Sequence, residues 1–272
     1  MWIKKKEIEQ LSEFVKGYSS GEEPDIRENK EGSFNILKND IYALVNTKNE
    51  QIKAVEAERD SLSDYMADIS HQLKTPITSM MIMADLLEEA EPEKQTEFIH
   101  NIQVSLNKME WLVGALLKMA KLDAHAIDFI KNDVHTSELL EAVKPSVAIL
   151  LDIHNLTIEL KQDCIIHCDK RWTTEALTNI IKNAIEYSPD GSEIDSGENP
   201  MYSWISVKDS GMGMDKTEYA ALFKRFENST NENGFGIGMP LALSILKGQG
   251  GDIDVDFGGR GEGTTFILKF FK

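Results

Sequence analysis

Apolar or seam positions recur at Ile52, Val55, Arg59, Leu62, Met66, Ile69, Leu73, Pro76, Met80, Met83 and Leu87, a strict three-four alternation. That spacing predicts one long helix carrying a coiled-coil stripe. Leu37, Ile41 and Leu44 repeat the spacing in a shifted phase, so the helix is expected to reach back toward Phe34 with a local slip in supercoiling. Pro76 removes one backbone hydrogen bond and crowds the preceding turn, which predicts a kink. A break follows at Glu89-Ala90-Glu91-Pro92, where proline suits a first helical position. The next stripe, Phe98, Ile102, Ser105, Met109, Leu112, Leu116 and Met119, is widened by Ile99, Leu106, Val113, Leu117 and Ala120. Two helices with broad apolar faces and a short connection make an antiparallel hairpin that cannot bury itself alone, and a homodimeric four-helix bundle is the expected solution.

Beyond about Ala124 the pattern changes to alternating strands and helices. Strands are expected at Ile127 to Val134, Leu156 to Leu160, Cys164 to Cys168, Ser203 to Lys208, Gly251 to Phe257 and Thr264 to Phe270, and helices at Ser137 to Leu151, Lys170 to Tyr187 and Leu241 to Lys247. This reads as a separate α+β or α/β domain. Ser12 to Gly32, broken by Gly17, Gly21 and Pro24, reads as a linker.

Charge narrows the partners. With 29 Lys+Arg against 46 Asp+Glu the formal charge is −17, which repels phosphate backbones, so nucleic acid is not an expected partner. A single nucleotide remains admissible, because backbone N–H groups and a metal can hold a small anion locally. The 2 cysteines, Cys164 and Cys168, are too few for a disulfide scaffold and suit a reducing compartment. They share an expected strand on which His167 points away from both thiols, so packing rather than metal binding is expected there. No apolar run approaches the ~18 residues of a membrane helix. Trp2-Ile3-Lys4-Lys5-Lys6 reads either as the cytoplasmic flank of a missing span or as a solvated helix start.

Chemistry concentrates at few places. His71 lies two residues from both Ile69 and Leu73, about 200° around the helix from either seam position, so its ring must face outward, with Lys74 and Thr75 on its side. Asn179 and Asn183 are one helical step apart and project from one face of an amphipathic helix, where two amides need polar partners. Three glycine clusters follow: Asp209-Ser210-Gly211-Met212-Gly213, Gly234-Phe235-Gly236-Ile237-Gly238 before a helix, and Gly261-Glu262-Gly263-Thr264. Glycines so spaced let backbone N–H groups close on an anion, and a helix N-terminus adds a favourable dipole. Phe223-Lys224-Arg225-Phe226 lies between the first two clusters, on a stretch long for a plain loop that suggests a mobile lid.

In this order the motifs resemble those of two-component sensor histidine kinases, from about Lys53 to the C-terminus. Ile69-Ser70-His71-Gln72-Leu73-Lys74-Thr75-Pro76 is similar to the phosphoacceptor box, and Asn179-Ile180-Ile181-Lys182-Asn183-Ala184 to the asparagine box. Asp209 to Gly213, Phe223 to Phe226, Gly234 to Gly238 and Gly261 to Thr264 are similar to the remaining nucleotide boxes. The resemblance implies a juxtamembrane linker (1–33), a signalling helix with a dimerisation and phosphotransfer hairpin (34–125), and a Bergerat-type α/β-sandwich ATP-binding domain (126–272). It implies His71 as nucleophile, Asn183 as Mg²⁺ ligand, Asn179 near the phosphates, Asp209 as acceptor for the adenine amino group, and Tyr187 at the base. Arg225 would neutralise the transferring phosphoryl group, and Gly234, Gly236 and Gly238 would hinge the lid. Gly211, Gly213, Phe226 and Thr264 complete the nucleotide site, and Thr75 would orient a water for dephosphorylating the partner. The implied cofactors are ATP and Mg²⁺; the implied partners are a second copy, a response regulator receiver domain, and a bacterial membrane through a missing N-terminal span.

Two positions depart from the family pattern. Gln72 stands where an acidic residue usually serves as base on the imidazole; its amide cannot take a proton, although its carbonyl can accept from the ring N–H and fix the tautomer. Glu186 stands where a lysine is common before the tyrosine, which bears on nucleotide affinity. The related water-hydrolysing ATPases, such as type II topoisomerases and mismatch-repair subunits, carry a glutamate four residues before the metal-binding asparagine. This chain has Asn179 there, which favours phosphoryl transfer over hydrolysis. A non-enzymatic dimeric scaffold is disfavoured by the intact Asp209, Asn183 and glycines.

Overall fold

The computed structural model describes residues 8–9, 12–13, 33–87, 90–154, 156–188, 192–226, 235–257 and 261–272. The chain divides into two compact units at Ser70/His71. The first contains the N-terminal part of helix α1 (Ser33–Leu87), which continues through Pro76. Among the seam residues of this unit, Ile52, Val55 and Met66 are exposed within the single chain.

The second unit begins with the remainder of α1, followed by α2 (Pro92–Asp123). The connection is closed by Gln95, whose side-chain amide donates to the Ala90 carbonyl at 2.9 Å and the Leu87 carbonyl at 3.3 Å. One side chain thereby satisfies carbonyls that the end of α1 leaves open. Pro92 occupies the first turn of α2, as the break in pattern predicts. Along α2, Leu112, Ala115, Met119 and Leu122 are buried, whereas Leu106, Val113 and Leu117 of the flanking row are about half exposed.

From Asn132 onward the unit is a sandwich. The remaining elements are β1 (Asn132–His135), α3 (Thr136–His154), β2 (Ile158–Leu160), β3 (Ile165–Cys168), α4 (Lys170–Tyr187), β4 (Ser192–Glu198), β5 (Tyr202–Lys208), α5 (Lys216–Leu222), α6 (Gly238–Gly248), β6 (Gly251–Asp256) and β7 (Thr265–Phe271). Five strands form a sheet in the order β2-β4-β5-β7-β6, with only the β2–β4 pair parallel. Strict alternation on β5 and β7 sends Ile205, Val207, Phe266, Leu268 and Phe270 into the core, where they meet the helical layer of α3, α4 and α6. Helix α4 buries Ala176, Leu177, Ile180, Ile181, Ala184 and Ile185. Asp169 caps it by accepting from Trp172 N–H at 3.1 Å and also accepts from Ile130 N–H at 2.9 Å, while Gln249 accepts from Asp169 N–H at 2.7 Å. The cap thus ties α4 to the end of α6.

Several boundaries differ from the pattern reading. Ile127 to Lys131 form no strand; the first strand starts at Asn132 and pairs antiparallel with β3 as a separate ribbon. That run contacts the sandwich through side chains instead, with Phe129 edge-on to Trp172 at 5.9 Å. Strand β4 is absent from the pattern reading, because its sequence Ser-Glu-Ile-Asp-Ser-Gly-Glu has only one large apolar residue; pairing on both sides supplies its stability. Helix α5 occupies part of the stretch read as a long loop, and residues 227–234 lie outside the described residues. On β3, His167 faces out and bonds Asp133 at 2.8 Å, while Cys168 is buried and burial pushes its thiol up. Among the described residues no helix is long and apolar enough to cross a membrane.

Candidate active site

A cavity of about 940 Å³ opens between α2, α4, the loop after β5 and the start of α6. Of the residues expected at a nucleotide, it is lined by Asn179, Asn183, Tyr187, Asp209, Gly211, Gly213, Gly236, Gly238 and Thr264. The fold brings them together by ending α4, β5 and the turn before β7 at one edge of the sandwich. Phe226 is buried with φ +64° and its N–H bonds the Gly236 carbonyl at 3.2 Å, but it does not line the cavity. Gly234 lies outside the described residues.

At one end stands Asp209, which is 5% exposed. Gly211 N–H and Thr264 N–H both donate to its Oδ1, at 2.9 and 3.0 Å, which leaves Oδ2 as a second acceptor. Burial pushes the carboxyl above its ordinary range, and the two N–H bonds oppose that shift. The position is enforced sterically. A Cβ on Gly211 would stand 2.6 Å from the Tyr187 carbonyl oxygen, and one on Gly263, at φ +75°, would overlap the Asp209 carbonyl oxygen. Asp209 N–H completes the link by donating to the Thr264 carbonyl at 2.9 Å.

Nearer the start of α6 stand the α4 amides. Asn179 Nδ2 is out of contact with solvent and has no hydrogen-bond partner among the described residues. An amide left so is costly by roughly 1–3 kcal/mol, which a bound polar group would relieve. A Cβ on Gly238 would lie 3.4 Å from Asn179 Oδ1, so glycine leaves room for backbone and amide to approach the same ligand. The residues therefore fit a nucleotide with a hard cation: an unpartnered Asn179 amide donor for a phosphate oxygen, a side-chain carbonyl oxygen at Asn183 for the cation, glycine backbone, and a buried carboxylate for a base.

His71, Gln72, Thr75 and Arg225 do not line this cavity. His71 is exposed, as its helical phase requires, and Thr75 Oγ1 donates to the His71 carbonyl at 3.3 Å. Gln72 is half-buried. Arg225 Nη2 reaches both carboxylate oxygens of Asp123 at 2.9 Å, at the end of α2. The motif reading missed one wall altogether: Val104, Asn107, Lys108 and Trp111 of α2. Their i, i+3, i+4, i+7 spacing marks a helical face distinct from the seam, and its tryptophan was the available signal.

Fold and site together define a nucleotide-binding sandwich joined to a helical hairpin with an exposed histidine. Comparison with known families agrees: residues 61–125 match the His Kinase A (phospho-acceptor) domain, and residues 168–272 match the histidine kinase-, DNA gyrase B-, and HSP90-like ATPase domain. The chain belongs to the two-component sensor histidine kinases. It is 29% identical over 252 residues to sensor histidine kinase WalK of Bacillus subtilis (strain 168), covering 85% of this chain and 39% of WalK. It is 29% identical over 258 residues to sporulation kinase C of the same organism, covering 91% of this chain and 56% of that protein. The chain thus spans about half or less of the length of such relatives. Among solved structures, Acinetobacter baumannii histidine kinase AdeS shares the fold with a TM-score of 0.61 at 21% identity, covering 74% of this chain and 97% of that one. Histidine kinase ThkA, solved in complex with response regulator TrrA, shares it with a TM-score of 0.63 at 19% identity, covering 83% and 66%.

Proposed function

We propose that this chain transfers the γ-phosphoryl group of ATP to His71 and passes it on to an aspartate of a response regulator. The observation that carries the reading is the pairing of an exposed helical histidine with a cavity that offers an orphaned Asn179 amide and a buried Asp209 carboxylate. A ring nitrogen of His71 attacks the γ-phosphorus with its lone pair, the bond to the bridging oxygen breaks, ADP leaves with that electron pair, and the other ring nitrogen then gives up its proton to water. Gln72 accepts a hydrogen bond from the other ring N–H and holds the tautomer. Asn183 would hold Mg²⁺ through its carbonyl oxygen, where the ion would supply charge neutralisation, and the orphaned Asn179 amide would donate to a phosphate oxygen. Asp209 accepts from the adenine amino group through Oδ2, Tyr187 borders the base, and Gly211, Gly213 and Thr264 shape the pocket around it. Gly236 and Gly238 hinge the lid over the phosphates, and Arg225 moves from Asp123 to the transferring group.

The exposed Leu106, Val113 and Leu117 support pairing of two hairpins into a four-helix bundle. Thr75 supports dephosphorylation of the regulator as a second activity, and membrane attachment through a segment before Trp2 accords with the flanking lysines. The test is incubation with radiolabelled ATP and Mg²⁺. The expected product is acid-labile, base-stable and absent from His71→Ala, which still binds ATP. Persistent labelling of that variant, or release of free phosphate without any labelled protein, would sink the assignment.

A further inference from the structure

The nucleotide cavity is completed by a part of the chain outside the sandwich. Lys108 and Trp111 stand one turn apart on α2, and both line it. Trp111 stacks on Phe235 with ring centroids 6.0 Å apart and planes 16° from parallel. Phe235 leads directly into Gly236 and Gly238, and Gly238 is the residue that closes on Asn179. The tryptophan therefore marks the asparagine end of the cavity, and Lys108 is its neighbour along the helix.

Charge gives this placement its consequence. Among the described residues lining the cavity, Lys108 and Lys182 face three carboxylates, Glu186, Asp209 and Glu218. The whole chain carries a formal charge of −17. A polyphosphate brought into such a site meets less repulsion where the lining lysines approach it. Lys182 belongs to α4 and accompanies the sandwich in any arrangement. Lys108 joins it only while α2 lies alongside, a packing held by the Trp111–Phe235 stack and by Lys118 with Glu175 at 2.7 Å. With α2 in place the cavity still measures about 940 Å³, within the range of small-molecule sites, so α2 flanks the ligand space rather than filling it.

We propose that Lys108 is a binding residue for the nucleotide: its ammonium contacts the phosphate chain, so that ATP is held jointly by the sandwich and by the hairpin. A flexible lysine suits this task, since it offers a point charge that follows the phosphates without demanding one geometry. Nucleotide and α2 then stabilise each other's placement, and the affinity measured for the full chain contains a contribution from the hairpin. The inference rests on the nucleotide reading of the cavity.

The experiment measures, on the full chain, displacement of a fluorescent ATP analogue by Mg·ATP, Mg·ADP and adenosine for the parent, Lys108→Met and Lys108→Arg. Lys108→Met is expected to weaken Mg·ATP about fivefold, as for a partly exposed charge contact. Mg·ADP should weaken less and adenosine not at all, and Lys108→Arg should recover most of the loss. Raising the salt concentration should weaken Mg·ATP binding more steeply in the parent than in Lys108→Met, a difference that a merely structural lysine would not produce. Equal losses for ATP and adenosine, or no loss for either, would overturn the proposal while leaving the nucleotide site standing. A parent that fails to bind Mg·ATP would instead overturn the nucleotide reading itself.

Discussion

Asp209 shows how one side chain can be held by the fold and still keep an acceptor oxygen for a ligand. Its Oδ1 receives two backbone N–H groups, and burial raises its carboxyl above the ordinary range. A carboxyl raised on folding binds its proton more tightly in the native state, so its contribution is fully favourable at pH below the unfolded value and declines as pH climbs through the raised native value. Asp209→Asn keeps an oxygen acceptor for both N–H groups and removes the titration. The parent's melting temperature should therefore fall relative to Asp209→Asn as pH rises from the ordinary aspartate range, and the gap should level off above the raised value. Thermal melts of both proteins across pH check this, and a constant gap would contradict it. Nucleotide affinity should fall about tenfold or more in the same variant, because an amine-facing carboxylate oxygen is replaced by an ambiguous amide.

Gln72 is the second residue whose chemistry is decisive. An amide can orient the imidazole but cannot accept its proton. Gln72→Glu is expected to speed the initial rate of autophosphorylation a few-fold at saturating Mg·ATP, short of the roughly 10²-fold that general-base help can reach. A strong loss with ATP affinity unchanged would give the amide a role beyond fixing the tautomer.

Among the elements, the two ends of the cavity are built differently. The Asp209 end is rigid by close packing, since Gly263 admits no side chain against the Asp209 carbonyl and holds φ at +75°. Gly263→Ala should destabilise the protein by at least about 2 kcal/mol, because a strained backbone and a steric overlap act together. Urea unfolding measures it, and a loss below about 0.5 kcal/mol would show that the turn before β7 yields easily. The α4 end depends on helical phase: Asn179 and Asn183 share a face at a spacing of four, on a helix that Asp169 caps. Helix α4 was therefore legible to the residue. Strand β4 was not, because Ser192–Glu198 has little apolar content and is a strand only by virtue of β2 and β5 on either side.

On the scale of the whole molecule, the bifurcated contact of Arg225 Nη2 with both Asp123 oxygens sets the residue expected at the transferring phosphoryl group against the hairpin instead. This arrangement suits holding a nucleotide more than transferring from it. Asp123→Asn should raise the initial autophosphorylation rate by up to about fivefold, since a pair of this exposure is worth under about 1 kcal/mol. Phosphohistidine formation at saturating Mg·ATP is the measurement, and a reduced rate would show that Asp123 assists transfer. The proposed transfer to His71 brings that residue to a cavity whose lining does not include it, so the transfer carries with it a change of domain position or a second subunit.

The chain by itself determined whatever depends on local period and residue chemistry. The three-four stripes specify the two long helices, the phase of His71 between Ile69 and Leu73 specifies its exposure, and the order of asparagines, Asp209 and glycines carries the resemblance to a nucleotide site. These follow from the 3.6-residue turn and from what glycine, proline and carboxamides can do at a backbone. Only the tertiary structure decided which α2 face lies against the sandwich, and with it the presence of Lys108 and Trp111 in the cavity and of Asp123 at Arg225. Those contacts join residues as far apart as Asp123 and Arg225, where no periodicity links the partners, and their free energy comes from surfaces that exist only once both elements have folded.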